Sequence, residues 1–411
     1  MAAGVRVLGG YQTDFRRNLG REGKGLFELM QEAVAGTLAA TDLAPDDIEV
    51  AHVGNFVAEL FCQQGHLGGM FAAIDPAFSG LPAARHEAAC ASGSIALLAA
   101  QADILAGHYD VACVLGVELM RHTDAKTAAD NLATAAWIGR EGQEARWMWP
   151  WMFARLGDEY ERRYGLEREH LAAIARNNFA NARRNPNAQT REWILTDESF
   201  GTDEAANPVI EGRIRKSDCG QITDGAACVV VASERFAARY AERRGVAFDR
   251  IPRVAGWGHR TATLRLEDKF RESPNDPYIL PHVRGAIADA YRRAAIAGPD
   301  ALDVIETHDC FTTTEYLAID HFGMTEPGES WKAIESGRIA LGGDLPINPS
   351  GGLIGAGHPV GATGVRMLLD AWKQLSGTAG GYQVEGARRA ATLNIGGSGT
   401  TTVSFILERD A

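Results

Sequence analysis

Nowhere in its 411 residues does the chain carry an apolar run approaching the roughly 18 to 20 residues that span a bilayer. With 45% hydrophobic and 23% charged residues it reads as a soluble globular protein with no membrane insertion. A basic start followed by a long apolar stretch is also missing: MAAGVRVLGGYQTDF reads as a first strand over Val5 to Gly9, not as a signal peptide, and the closing LERDA is no recognisable address. Nor is there an excess of positive charge. A formal net charge of -12 argues against a general nucleic-acid binder, so any anionic ligand must be met locally. The six cysteines (62, 90, 113, 219, 228 and 310) form no CxxC pair. Cys113 and Cys228 lie in apolar runs where a free thiol packs as a small hydrophobe, a usage that fits a reducing cytoplasm.

What is present is the alternation of strand-like and helix-like stretches that marks a layered α/β protein, in a chain long enough for two or three packed units of ~150 residues. Val111 to Gly116, Ala227 to Ala232, Val304 to Thr307 and Thr402 to Leu407 read as strands. Leu26 to Ala39 and Ser94 to Ala106 read as helices, the second so rich in Ala, Leu and Ile that it should be buried all round. After Met120 the composition turns polar, charged and aromatic, with helical patterns over Asp158 to Arg163 and Arg168 to Ala182. The expected organisation is a first half over 1–120 plus 216–250, an inserted loop domain over 121–215, and a second half over 251–411. Each half carries a glycine-rich, reactive-looking stretch where a helix begins, CASGSIALLAA and GAGHPVGATGVRMLL, which suggests an internal duplication.

Four motifs can carry chemistry. In HEAACASGS, Cys90 precedes the buried helix, where unpaired N–H groups and the positive end of the helix dipole favour thiolate over thiol. Small neighbours would let a substrate carbonyl approach the backbone; a merely packed helix-start cysteine is the competing reading. In NPSGGLIGAGHPVGATG, His358 stands in a rigid, exposed loop feeding a helix, where an imidazole can act as base or donor. The glycines at 355, 357 and 361 miss the GxGxxG dinucleotide spacing by one residue. The block His308-Asp309-Cys310-Phe311 follows an apolar strand, where open α/β sheets place catalytic groups. No second His or Cys stands at ligand spacing from it, so no metal is expected. Finally, Asn394 to Gly399 lies between two strands as a glycine hairpin.

Taken in this order, the nucleophile block, the insertion, HDCF, GHPxGxTG and the terminal glycine hairpin resemble the thiolase superfamily, and HDCF points to its sterol-carrier-protein-2 branch. SDCGQITDGAACVVVAS and GVELM resemble core segments flanking the insertion. The resemblance implies an α/β thiolase fold: two duplicated βαβαβαββ halves in five layers (αβαβα), with a loop domain over a coenzyme A site. It also implies a homodimer or a dimer of dimers. Cys90 matches the acylated nucleophile, and His358 the histidine that activates it and lines an oxyanion hole. Gly396 matches the glycine whose N–H pairs with that of Cys90 in a second hole. Cys310 matches the branch's proposed acid/base, and His308 a group beside the thioester oxygen. Where ordinary thiolases have Cys-x-Gly, this chain has Asn394-Ile395-Gly396; Asn394 cannot be a base, so the second proton transfer falls to Cys310. The implied reaction is acyl transfer through acyl-Cys90, as Claisen condensation or thiolysis of a 3-ketoacyl-CoA. Coenzyme A and acyl-CoA are substrates, and no metal or redox cofactor is required.

Trp137, Trp147, Trp149 and Trp151, with Met148, Met152 and Phe153, form the densest aromatic stretch. They read as the loop domain's core or a dimer contact, or, more sharply, as an acyl tunnel formed by Trp149 and Trp151. Arg183, Arg184 and Arg191 could meet the coenzyme's phosphates or be solvated helix charges. Two other readings stay open. One is a thiolase-fold lyase, aldolase or synthase working with a small zinc-ribbon/OB-fold partner. The other is a binding subunit, which fits poorly with Cys90, His308, Cys310 and His358 together.

Overall fold

A computed structural model describes residues 4–410. The strands, in chain order, are β1 (Val5–Gln12), β2 (Val50–Gly54), β3 (Ala83–His86), β4 (Val111–Glu118), β5 (Val209–Glu211), β6 (Ile214–Arg215), β7 (Gly225–Ser233), β8 (Arg253–Thr261), β9 (Val304–Thr307), β10 (Arg389–Gly396) and β11 (Thr401–Glu408). Nine form a sheet in the order β3-β2-β4-β7-β1-β8-β11-β10-β9; β5 and β6 pair separately. The order is nearly palindromic. β1, β2, β4 and β7 of the first half correspond to β8, β9, β10 and β11 of the second, and the halves meet through a single register pair, Arg6 with Arg253. The counterpart of β3 has shrunk to one bridge, Ile305 with Ile347, parallel as β2 and β3 are.

β4 and β7 are runs rich in Val and Ala, buried almost throughout because both of their faces are covered, as buried strands require. Between the two half-sheets lie the helices Ser92–Leu105 and Thr363–Ser376, one from each half. Leu26–Thr41 covers the outer face of the first half-sheet and Pro281–Arg293 that of the second, which completes five layers. The all-round burial expected of the first central helix holds only for its early turns, since Ala102 and Leu105 emerge into solvent. Its partner is the more enclosed, buried without a break from Thr363 to Ala371.

Glycine sets how closely the central helices approach. A Cβ on Gly93 would lie 2.7 Å from the Gly361 carbonyl oxygen, and one on Gly364 would lie 2.4 Å from the Ser94 nitrogen. Contacts that short leave no room for a side chain, so the two helix starts are in backbone contact. Two distant stretches of sequence thereby share one address. The inserted segment contributes Met148–Tyr164 and Arg168–Ala182, the second ending where expected. Both pack on the buried helix Thr312–His321 of the second half.

Candidate active site

Cys90 sits in the tight link between β3 and the first central helix, which begins at Ser92. The preceding Ala89 is held at φ +51°, a left-handed conformation that costs a residue with a Cβ about 1–3 kcal/mol. Local hydrogen bonds impose it. Ser92 Oγ accepts from Ala88 N–H at 2.9 Å and donates to the Ala89 carbonyl at 2.6 Å, while Glu87 Oε1 accepts from Ala89 N–H at 2.6 Å. The sulfur is approached by the Cys90 N–H and by that of Gly397. Gly396, which the sequence singles out, instead packs under the turn, where a Cβ would meet the Ala88 oxygen at 2.2 Å. The expected thiolate is corrected. Burial pushes the thiol up to about 12, with Glu118 and Glu87 adding to it, and the two N–H groups offset only part of this. At neutral pH Cys90 is a thiol whose exposed part faces a cavity.

His358 lies in a loop that is buried almost throughout, not exposed as its glycines suggest. Its N–H donates to Thr223 Oγ1 at 2.9 Å, and a bridge pairs it with Ile222. Its Nδ1 is 2.7 Å from Thr363 Oγ1, whose own hydrogen goes to the Pro359 carbonyl at 3.1 Å. A carbonyl can only accept, so the hydroxyl oxygen accepts from Nδ1–H, and Nε2 keeps its lone pair. Burial, with a smaller push from Arg366, lowers this imidazole to about 3. It is a neutral base. Beneath the loop, buried Glu118 ties the halves together: it accepts from Gly361 N–H at 3.1 Å, Phe56 N–H at 2.9 Å and Asn55 Nδ2 at 2.9 Å. Burial raises its carboxyl to about 7 against the pull of these donors.

His308 and Cys310 follow β9. The rings of His308 and His358 stand 5.2 Å apart and nearly perpendicular. His308 Nδ1 is 3.2 Å from Asn394 Nδ2, and its Nε2 is buried with no partner. Burial, then His358, keeps this imidazole well below its ordinary value. Cys310 is raised by burial and by nearby Cys90, and its carbonyl accepts from Gly220 N–H at 2.8 Å. Between them, Asp309 turns the other way. It accepts from Leu353 N–H at 2.5 Å, Ile354 N–H at 3.2 Å and Asn178 Nδ2 at 2.9 Å, and so docks the NPSGGLIG segment and the insertion.

Cys90, His308, Cys310, His358 and Gly397 line one cavity of about 320 Å³, so four side chains and a glycine turn from remote parts of the sequence face one space. Residues 5–235 match the family model described as "Thiolase, N-terminal domain", and residues 271–409 match "Thiolase C-terminal domain-like". The chain belongs to the thiolase family. It is 32% identical to the acetyl-CoA acetyltransferase of Methanothermobacter thermautotrophicus over 385 residues, 93% of this chain and 94% of that protein. It is 29% identical to human sterol carrier protein 2, over 98% of this chain and 71% of that protein. These relatives make the chain an acyltransferase-type enzyme of the thiolase family, on the sterol-carrier-protein-2 side. Among solved structures, the Ltp2-ChsH2(DUF35) aldolase superposes with a TM-score of 0.78 at 21% identity, covering 99% of this chain and 98% of that one. Human mitochondrial 3-ketoacyl-CoA thiolase in complex with CoA gives 0.68 at 17% identity, covering 100% and 99%. At those identities the likeness is one of fold.

The walls of this thiolase cavity are largely apolar, with Met120, Leu132, Trp149, Phe153, Phe311 and Val360 among them. Trp149 is therefore placed on the cavity, its Nε1–H donating to the Leu132 carbonyl at 3.0 Å. Trp151 is not among the lining residues; like Trp149 it packs against Met152 and Leu266. Arg183 and Arg184 do not reach the cavity either: Arg183 donates to the Trp193 carbonyl at 3.2 Å, and Arg184 is exposed. Arg191 makes a two-pronged ion pair with Asp14 at 2.6 and 2.8 Å, a structural tie. The lining residue with a cationic side chain is Lys216. Sequence reading missed it, along with Thr363, Thr223 and Glu118. Thr363, Thr223 and Glu118 each stand in a recognised motif, GHPxGxTG, SDCGQITDGA and GVELM, whereas Lys216 carried no readable signal.

Proposed function

We propose that this thiolase-family enzyme transfers acyl groups between Cys90 and coenzyme A, cleaving or forming the carbon-carbon bond of a 3-ketoacyl-CoA. The carrying observation is that Cys90, His358, His308 and Cys310 line one cavity, with both imidazoles neutral. In the cleavage direction the Cys90 sulfur attacks the keto carbon as His358 Nε2 takes the thiol proton. The keto oxygen, now anionic, meets the N–H groups of Cys90 and the Gly396–Gly397 turn. Its collapse breaks the adjacent carbon-carbon bond, and the electron pair leaves as the enolate of the shorter acyl-CoA. Cys310 gives that carbon its proton. The thiol of free coenzyme A then attacks acyl-Cys90, and the proton flow reverses.

On this proposal Lys216, the cationic side chain on the cavity wall, meets an entering phosphate in place of Arg183 and Arg184, and the apolar walls suit acyl chains larger than acetyl. In this reading residues 121–215 cover the coenzyme, and the protein works in the cytoplasm, in lipid metabolism. It assembles as a homodimer or dimer of dimers, for which the outer edge of β3 offers a strand-pairing surface. The fold likeness to an aldolase with a DUF35 partner keeps a lyase reading available, but Cys90 favours acyl transfer. Incubation with acetyl-CoA or a 3-ketoacyl-CoA should add an acyl mass to the Cys90 peptide. No adduct from any acyl-CoA would overturn the proposal in favour of the lyase.

A further inference from the structure

Cys90, His308 and His358 each offer a nitrogen or sulfur atom, and all three atoms lie within 4.8 Å of one another. Thiolate and imidazole at that spacing are the donor set of a three-ligand zinc site with an open position. We propose that Asn394 is the positioning residue that makes this cluster a hydrogen-bonding site and not a metal site, by fixing which nitrogen of His308 carries the proton.

The Asn394 amide can be oriented without ambiguity. One of its terminal atoms is 3.1 Å from the Cys90 carbonyl oxygen, which can only accept, so that atom is the NH2. The other is then the oxygen, 2.8 Å from Ser94 Oγ, which donates to it. The same NH2 faces His308 Nδ1 at 3.2 Å. Facing a donor, Nδ1 must present its lone pair, and a neutral imidazole then carries its hydrogen on Nε2. That Nε2 is the buried atom left without a partner. His308 is thereby a hydrogen-bond donor, while His358, set the opposite way by Thr363, is an acceptor.

Metal-binding histidines show the reverse arrangement. Their free ring nitrogen donates to a carboxylate or carbonyl, which leaves the other lone pair for the metal. An amide NH2 in that place keeps a hydrogen on Nε2, and a soft cation cannot displace it without breaking the Asn394 contact. In Asn394→Asp the carboxylate accepts from Nδ1–H, Nε2 gains a lone pair, and the trio becomes a ligand set. The same inversion removes the donor aimed at the substrate oxygen. Only this last consequence rests on the proposed acyl transfer.

The test is long-range 1H–15N correlation on 15N-histidine-labelled enzyme, with His308 assigned by its loss in His308→Gln, together with zinc chloride calorimetry. Expected are the Nε2–H form of His308 in the parent and the Nδ1–H form in Asn394→Asp. Zinc affinity should be at least tenfold higher in Asn394→Asp and should fall back when Cys90→Ser is added. An Nδ1–H form in the parent overturns the proposal, and that measurement stands even where the variant fails to fold. An unchanged tautomer, or equal zinc affinity in a folded Asn394→Asp, overturns it too. An inverted tautomer in an enzyme that never forms acyl-Cys90 would overturn the acyl-transfer reading and leave this one intact.

Discussion

The two halves have the same strand order and the same central helix, yet they contribute differently to the site. The first supplies one reacting group, the Cys90 thiol, on a turn strained at Ala89. The second supplies both imidazoles and the second thiol, on loops after β9 or before its central helix, and the amide that orients His308, from within β10. The divergence follows from β3. In the first half four residue pairs hold that strand and drive the chain straight into its helix. In the second, a single bridge at Ile347 leaves a long loop free to wander past Asp309 before it reaches His358. A duplicated scaffold can thus keep its core and let one shortened strand open room for new chemistry.

The largest break in this comparison is Cys90→Ala. It removes the first half's whole contribution, and acyl-enzyme formation should fall by at least ~10³-fold, leaving no acyl mass on the peptide. His358→Ala, on the other side, should slow acylation by about 10²–10⁴-fold, as the loss of a general base does, with the fold retained by thermal melting. Because Cys90 is held near 12 and His358 near 3, the two rest as thiol and neutral imidazole. Iodoacetamide labelling of Cys90 should therefore be slow at pH 7 and rise by about tenfold per unit toward pH 9. A fast rate independent of pH down to pH 5 would mean a resting ion pair and would erase the distinction drawn between the halves.

Cys310→Ala should leave the Cys90 adduct in place while slowing the carbon-carbon step by ~10²-fold or more. Chemical quench after a single acylation separates the two, and loss of neither step would move the acid/base role elsewhere. Glu118→Gln probes the seam itself. One of the new amide hydrogens would face an N–H donor, so a loss of about 1–3 kcal/mol is expected by denaturant unfolding, with a smaller effect on the chemical step.

Most of the scaffold and the names of the reacting residues were legible because they rest on local pattern: apolar strands, glycine-rich helix starts, and the order of Cys90, HDCF and GHPxGxTG. What escaped depends on three-dimensional enclosure. Cys90 read as a thiolate because its helix start is visible in sequence, whereas the burial that outweighs it is not. Arg183 and Arg184 read as phosphate ligands by charge alone, yet both are exposed and neither lines the cavity, where Lys216 does. Asn394 read as a site-shaping residue that cannot be a base. Its role emerges from one carbonyl and one imidazole lying on the same side of its amide, brought there by residues some 300 and 86 positions away.

The finest test concerns the aromatic stretch, where two tryptophans only two residues apart have different surroundings. Both pack against Met152 and Leu266, but Trp149 also lines the cavity and Trp151 does not. Trp149→Ala enlarges the cavity that Cys90 also lines, so kcat/KM should shift toward longer or bulkier acyl chains by about 10-fold, the effect of one or two methylenes' worth of contact. Trp151→Ala should lower stability through lost packing and leave the ratio of kcat/KM values between chain lengths unchanged. A changed preference in Trp151→Ala, or an unchanged one in Trp149→Ala, would show that the wall of the acyl site lies elsewhere. The second half's Phe311 would be the next candidate, since it stacks on Phe153 at 4.8 Å and lines the same cavity.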